Sequence, residues 1–212
     1  ALQAHVAFPV RWLAGNHDLV NGATYEVAQS HADKLYFHAQ RLQLRKPVII
    51  GHNGRSDYSP SPADLGKTDA EFAQWKRAFW IDGAIDQPVS DKKRMQRVLD
   101  TTAQALADAQ GQRVIYLTHF VPQPAFMVYA PNHSYWQMAT ALMGSKHLGE
   151  LLEAKHVDDV VFGHLHKRHA AQTIDQTTYH HQPMGYGLHR LNEWDGNDWF
   201  EEWRKTLVWL KV

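Results

Sequence analysis

Three short signatures in this chain combine residue types that bind a cation and move a proton. Gly15-Asn16-His17-Asp18 closes the apolar run Pro9–Ala14, His119 closes the run beginning at Arg113, and Gly163-His164-Leu165-His166 closes the run beginning at Val157. Histidines spaced i, i+2 at a strand end can turn both imidazoles to one side. Neutral imidazole nitrogens suit zinc at about 2.0–2.1 Å, and suit manganese or iron as well. Asn16 adds a carbonyl oxygen that can ligate a hard or borderline cation. His17 can donate a proton or stabilise developing charge, and Asp18 can hold its imidazole in one tautomer. Gly163 is expected to let the backbone turn sharply before His164.

Each signature alone has a plainer explanation. The chain holds 15 histidines, so an isolated His-x-His is more often structural than functional. An Asx-type turn accounts for Asn16 or Asp18, but not for His17 between them. Three signatures at the ends of three strands change the balance.

The elements that must position these residues follow from apolar patterning. Pro9–Ala14, Pro47–Gly54, Arg113–Phe120 and the stretch from Val157 read as buried strands. Helical spacing covers about Thr24 to Gln40, Thr68 to Trp80 with Phe72, Trp75, Phe79 and Trp80 on one side, and a longer helix capped by Ser90. Met95, Val98, Leu99, Thr102 and Leu106 form the buried stripe of that longer helix, and Gly111 stands near its end. A short helix covers Ser145–Lys155, and the segments around Thr177–Gly187 and Thr206–Val212 read as β-hairpin material. Strands alternating with helices predict an α/β fold, whose ligands bind at the carboxyl ends of the strands. No repeat or linker divides the chain, which reads as one domain over residues 1–212.

Composition narrows the partners. Lys+Arg and Asp+Glu are 22 each, so no net positive field draws the chain to nucleic acid or to an anionic membrane. Cysteine is absent, which excludes thiolate metal sites and fits a cytoplasmic protein. No run approaches the roughly 18 apolar residues of a membrane helix.

The series Gly-Asn-His-Asp, strand-end histidine and Gly-His-x-His, in that order, resembles the signature of the calcineurin-like metallophosphoesterases. The resemblance covers about Pro9 to His166. It implies a β-sandwich flanked by helices, in four layers α/β/β/α, with two divalent metal ions (Mn, Fe, Zn or Ni) at one edge. It further implies that Asn16, His119 and His164 ligate the second metal and His166 the first. By the same likeness His17 assists the leaving group and Asp18 orients His17. Two cations about 3.5–4 Å apart would then activate a shared water for in-line attack on a phosphomonoester or phosphodiester. Arg55, in the loop after the second strand, is a candidate contact for a substrate phosphate.

The chain departs from the family pattern in one respect. The family opens with Asp-x-His and then Gly-Asp-x-x-Asp, whose first Asp bridges the metals, and neither stands among the 14 residues before Gly15. The expectation is an N-terminally incomplete domain, short of a strand-helix-strand portion of roughly 30 residues or more. Such a chain would bind metal weakly by itself, and an exposed sheet edge would favour self-association. The expected activity is that of a phosphoric ester hydrolase acting on a phosphorylated small molecule. Two alternatives remain: a non-catalytic scaffold of the same fold, which typically forfeits the histidine present here as His17, and a nuclease of the same superfamily.

Overall fold

The strands are short because each only needs to cross one core, and their alternation decides which face is dry. The computed structural model describes residues 2–20 and 35–211. Six strands, β1 (Gln40–Gln43), β2 (Val48–Gly51), β3 (Val114–Leu117), β4 (Asp159–Phe162), β5 (His169–Ile174) and β6 (Thr177–His181), form one mixed sheet in the order β1-β2-β3-β4-β6-β5. The central strands β2, β3, β4 and β6 are parallel, and the edge strands β1 and β5 pair antiparallel to their neighbours.

Register aligns Ile50 with Tyr116, Tyr116 with Val160, and Val160 with Tyr179, so these four share a face. On that face they join Val48, Val114 and Phe162 in the main core. A helix, α3 (Asp91–Asp108), brings Met95, Val98 and Leu106 onto it, and α5 (Lys146–Ala154) brings Leu148 and Leu152. Burying each such side chain contributes about 1.5–3 kcal/mol. The hydroxyl of Tyr116 inside this core is satisfied by Thr102 Oγ1 at 2.8 Å, which removes the penalty of burying it. The opposite face is wetter: Ile49, Leu117 and Val161 are half-buried, and Asp159 there pairs with Arg113 and His180 at 2.6 and 2.9 Å.

The α/β architecture and the Ser90 cap, which accepts from Lys93 N, agree with the sequence. The helix expected from Thr68 is α2 (Asp69–Phe79), entered through a reciprocal cap between Thr68 and Glu71. Its aromatic row is split by burial, with Phe72 packed under Tyr58 and Phe79 exposed. Two shorter helices, α1 (Asn16–Leu19) and α4 (Ser134–Thr140), fill turns.

Three expectations are corrected. Pro9–Ala14 is not a strand; its pairing is a single parallel bridge from Trp12 to Tyr36. The helix expected from Thr24 falls mostly outside the described residues, and its described end, from Leu35, leads into β1 at Gln40 instead. The hairpin expected near the C-terminus is β5–β6, turned at Asp175 and Gln176 with φ of 44° and 72°, but residues 207–211 form no strand. Before them stands a helix, α6 (Trp199–Lys205), which the apolar pattern hid. Asp198 caps it through Phe200 N and Glu201 N, and acidic residues open it while basic residues close it, as the helix dipole favours. No helix among the described residues is long and apolar enough to cross a membrane.

Backbone bonds continue past the parallel strands and set their ends in one row. His119 N donates to Asn53 O, and Gly163 N donates to His119 O, both at 3.1 Å. That row is the floor of the site.

Candidate metal centre

Gly15 is the extended residue before the single turn α1, and Asp18 Oδ2 accepts from Gly15 N at 2.8 Å. The carboxylate is thus spent on capping the turn. It does not hold His17, contrary to the sequence expectation, because the geometry of a one-turn helix favours the backbone donor three residues back. Gly15 also makes room for a neighbour: a Cβ there would lie 2.7 Å from His119 Cε1.

Asn16 is buried. Its Nδ2 donates to Asp82 Oδ1 at 2.7 Å, and its Oδ1 lies 3.0 Å from His119 Nε2. His119 Nε2 in turn lies 3.1 Å from His164 Nδ1. The sharp turn expected at Gly163 is taken by His164 itself, whose φ is 74°, in the left-handed region that few non-glycine residues enter. Gly163 serves by its missing side chain, since a Cβ there would approach His119 Nδ1 to 3.3 Å. Burial pushes the His119 imidazole well below its ordinary pKa, and His164 beside it adds to the effect. Burial, then the proximity of His166 and His17, lowers His164 to about 3. Both rings are therefore neutral at physiological pH, the form that ligates a metal.

These three donor atoms test whether a cation fits. Ligands about 2.1 Å from a metal at right angles lie about 3.0 Å apart, close to the spacings of 3.0 and 3.1 Å found here. His164 Nε2 is buried without a hydrogen-bond partner. One amide oxygen and two neutral imidazoles fit a single borderline divalent cation. Among the described residues, no group of three or more His, Cys, Asp or Glu is arranged to hold a metal. His166 thus belongs to no such group. Its Nδ1 faces Glu193 Oε1 at 3.4 Å instead.

Three residues near the site carried no recognised sequence signal. Tyr186 places its hydroxyl 2.7 Å from His17 Nε2 and its ring edge-on to His166 with centroids 4.3 Å apart. The flanking Gly185 and Gly187 have φ of 68° and 76°, so the string Met-Gly-Tyr-Gly was the one available hint. Glu193 is buried and accepts from Tyr186 N and Leu188 N at 2.7 and 3.0 Å, pinning that loop. Asp82, fully buried beside Asn16, sits in a 3-10 turn over Ile81–Ala84.

Arg55 is not on the surface. It is 1% exposed, and its Nε and Nη2 both donate to Asp91 Oδ1, at 3.1 and 3.0 Å. Asp91 also receives the Tyr58 hydroxyl and the Lys76 ammonium. Burial alone would raise the pKa of Asp91, but Arg55 and then Lys76 outweigh it and hold it at about 2. The phosphate contact expected of Arg55 is replaced by a structural one, because a guanidinium this deep needs a carboxylate partner.

The α/β sheet sets His119 and His164 just past two neighbouring parallel strands, and the turn α1 brings buried Asn16 beside them. The calcineurin-like phosphoesterase family model matches residues 1–168, and the chain belongs to that family. No curated protein matches it. Its fold is similar to the crystal structure of phosphopantetheinyl hydrolase (PptH) from Mycobacterium tuberculosis, with a TM-score of 0.68 and 18% identity over 93% of this chain and 76% of that one. A second crystal structure aligns at a TM-score of 0.49 and 11% identity, over 85% of this chain and 60% of its own.

Proposed function

We propose that the chain is a metal-dependent phosphoric ester hydrolase acting on a phosphorylated small molecule. The observation that carries this reading is the approach of Asn16 Oδ1 and His164 Nδ1 to His119 Nε2, at 3.0 and 3.1 Å. Asn16, His119 and His164 would hold a divalent cation, with His166 the donor nearest to a second. When bound, such a cation supplies Lewis-acid polarisation of water and of a phosphoryl oxygen.

In the reaction a bond forms from water oxygen to phosphorus as that water gives up a proton to solvent, and the bond from phosphorus to the leaving oxygen breaks. His17, exposed at the rim beside that donor set, gives a proton to the departing oxygen. The Tyr186 hydroxyl, 2.7 Å from His17 Nε2, fixes the His17 ring. Buried Glu193 holds the loop that carries Tyr186. His119 and His164 stay neutral through burial and so keep their lone pairs free for a cation.

The test compares the wild type with His119→Ala. Manganese binding is measured by calorimetry, and hydrolysis is followed with p-nitrophenyl phosphate and bis-p-nitrophenyl phosphate. The two esters distinguish a monoesterase from a diesterase. Manganese-dependent release of p-nitrophenol that falls at least about 100-fold in the variant is expected, the scale of losing an electrostatic contributor to the transition state. Equal manganese binding and equal rates in the two proteins would overturn the reading.

A further inference from the structure

We infer that Asp82 is a positioning residue for the metal centre, deciding which end of the Asn16 amide faces His119; the role rests on the metal-dependent reading above. An asparagine amide presents a carbonyl and an NH2 of almost the same shape, related by a half-turn. Only the carbonyl can ligate a cation. Something must therefore choose between the two orientations.

The choice is made at the far end of the amide. Asp82 Oδ1 lies 2.7 Å from Asn16 Nδ2. A carboxylate oxygen only accepts, so the NH2 must point to Asp82, and the carbonyl then points at His119 Nε2, 3.0 Å away. The flipped amide would set carbonyl against carboxylate inside a fully buried site, with no donor between them.

Asp82 is itself held firmly. Its 3-10 turn presses on the end of α2, where Gly83 leaves no gap: a Cβ there would lie 2.4 Å from Lys76 O. Gly83 N donates to Trp80 O at 2.9 Å, and Ile85 N donates to Asp82 O at 3.2 Å. Behind the carboxylate, Arg55 Nη1 stands 3.8 Å from Asp82 Oδ2, and Arg55 is anchored on Asp91. The outer layer of the centre thus runs from Asp91 through Arg55 and Asp82 to Asn16. It reaches back to residues that no ligand motif contains.

A purely structural role for Asp82, as a counter-charge to Arg55, makes a different prediction. Asp82→Asn and Asp82→Leu both remove that charge, but only Asp82→Asn keeps an oxygen able to accept from Asn16. Manganese affinity is expected to fall about 10- to 100-fold in Asp82→Leu and only a few-fold in Asp82→Asn, the range seen when a ligand loses its orienting partner. The Asn16 side-chain NH2 resonances, read by NMR on metal-free protein, provide a second readout that needs no cation. Slow solvent exchange in the wild type and Asp82→Asn, and fast exchange in Asp82→Leu, is expected. Equal manganese affinity in the two variants, or rapid exchange of the Asn16 amide in the wild type, would overturn the assignment. A wild type that binds no manganese overturns the proposed function instead, and the amide exchange still decides what Asp82 does. Should Asp82→Leu fail to fold, Asp82→Ala takes its place, and the wild-type amide remains decisive alone.

Discussion

His17 Nε2 and the hydroxyl of Tyr186 meet at 2.7 Å, although 169 positions separate them in the chain. The carboxylate next to His17 in sequence, Asp18, is turned away onto the backbone of Gly15. The partner of the proposed proton donor therefore comes from the loop after β6 rather than from its own motif. Tyr186→Phe keeps the ring contact with His166 and removes only the hydroxyl. Turnover is expected to fall about tenfold, a fraction of what proton transfer contributes. The loss should be larger for phenyl phosphate than for p-nitrophenyl phosphate, whose leaving oxygen scarcely needs a proton. Equal losses on the two esters would count against the pairing.

Gly15→Ala tests how closely Gly15 packs against His119. Its backbone φ of −88° suits any residue, so the effect is steric alone. The new methyl would lie 2.7 Å from His119 Cε1, and the imidazole must move. Overpacking of this kind costs about 1–3 kcal/mol. Manganese affinity is expected to drop at least about tenfold, and unchanged binding by calorimetry would show that His119 is not a ligand.

Arg55→Met separates a structural arginine from a phosphate contact. Its side chain is fully buried between Asp91 and Asp82, so removal leaves Asp91 with Lys76 as its remaining cation and takes the guanidinium away from Asp82. A loss of about 3–5 kcal/mol is the usual result of breaking such a pair. Urea unfolding should show it, while KM for a phosphate ester stays within a few-fold. A raised KM with unaltered unfolding would restore the surface role.

Acid should loosen the fold before it reaches the carboxylates. Burial, then Arg94, lowers His38 to about 4, and burial, then His38 and Arg94, pushes His52 well down. Burial, followed by His169, lowers His181 to about 4. Unfolded histidine titrates near 6.5, so as pH falls below about 6.5 the unfolded chain takes up protons that the folded chain refuses. Stability is thus complete above about 6.5 and declines toward pH 4, by up to about 1.4 kcal/mol per pH unit for each such group. The urea midpoint should be clearly lower at pH 5 than at pH 7.5. A midpoint that does not move would mean these rings are protonated or exposed in solution.

The sequence by itself picked out Asn16, His119 and His164 as candidate ligands and showed strands alternating with helices. His119 and His164 were legible because each follows an apolar run that becomes a parallel strand, whereas the run before Asn16 forms no strand and Asn16 reaches the same edge from a helical turn. The cap at Ser90 was legible because it is local. What spacing could not reveal is every partner that reaches the site from elsewhere. Asp82, Tyr186 and Glu193 lie in turns without periodicity, and their contacts span 66, 169 and 7 positions. Arg55 was misplaced for the same reason, since a loop arginine reads as exposed until the fold folds Asp91 over it. Hydrophobic periodicity is a property of neighbours along the chain, whereas the orientation of an amide or an imidazole depends on which polar atom happens to be packed behind it. That choice is made only when the core closes and each buried donor must find an acceptor.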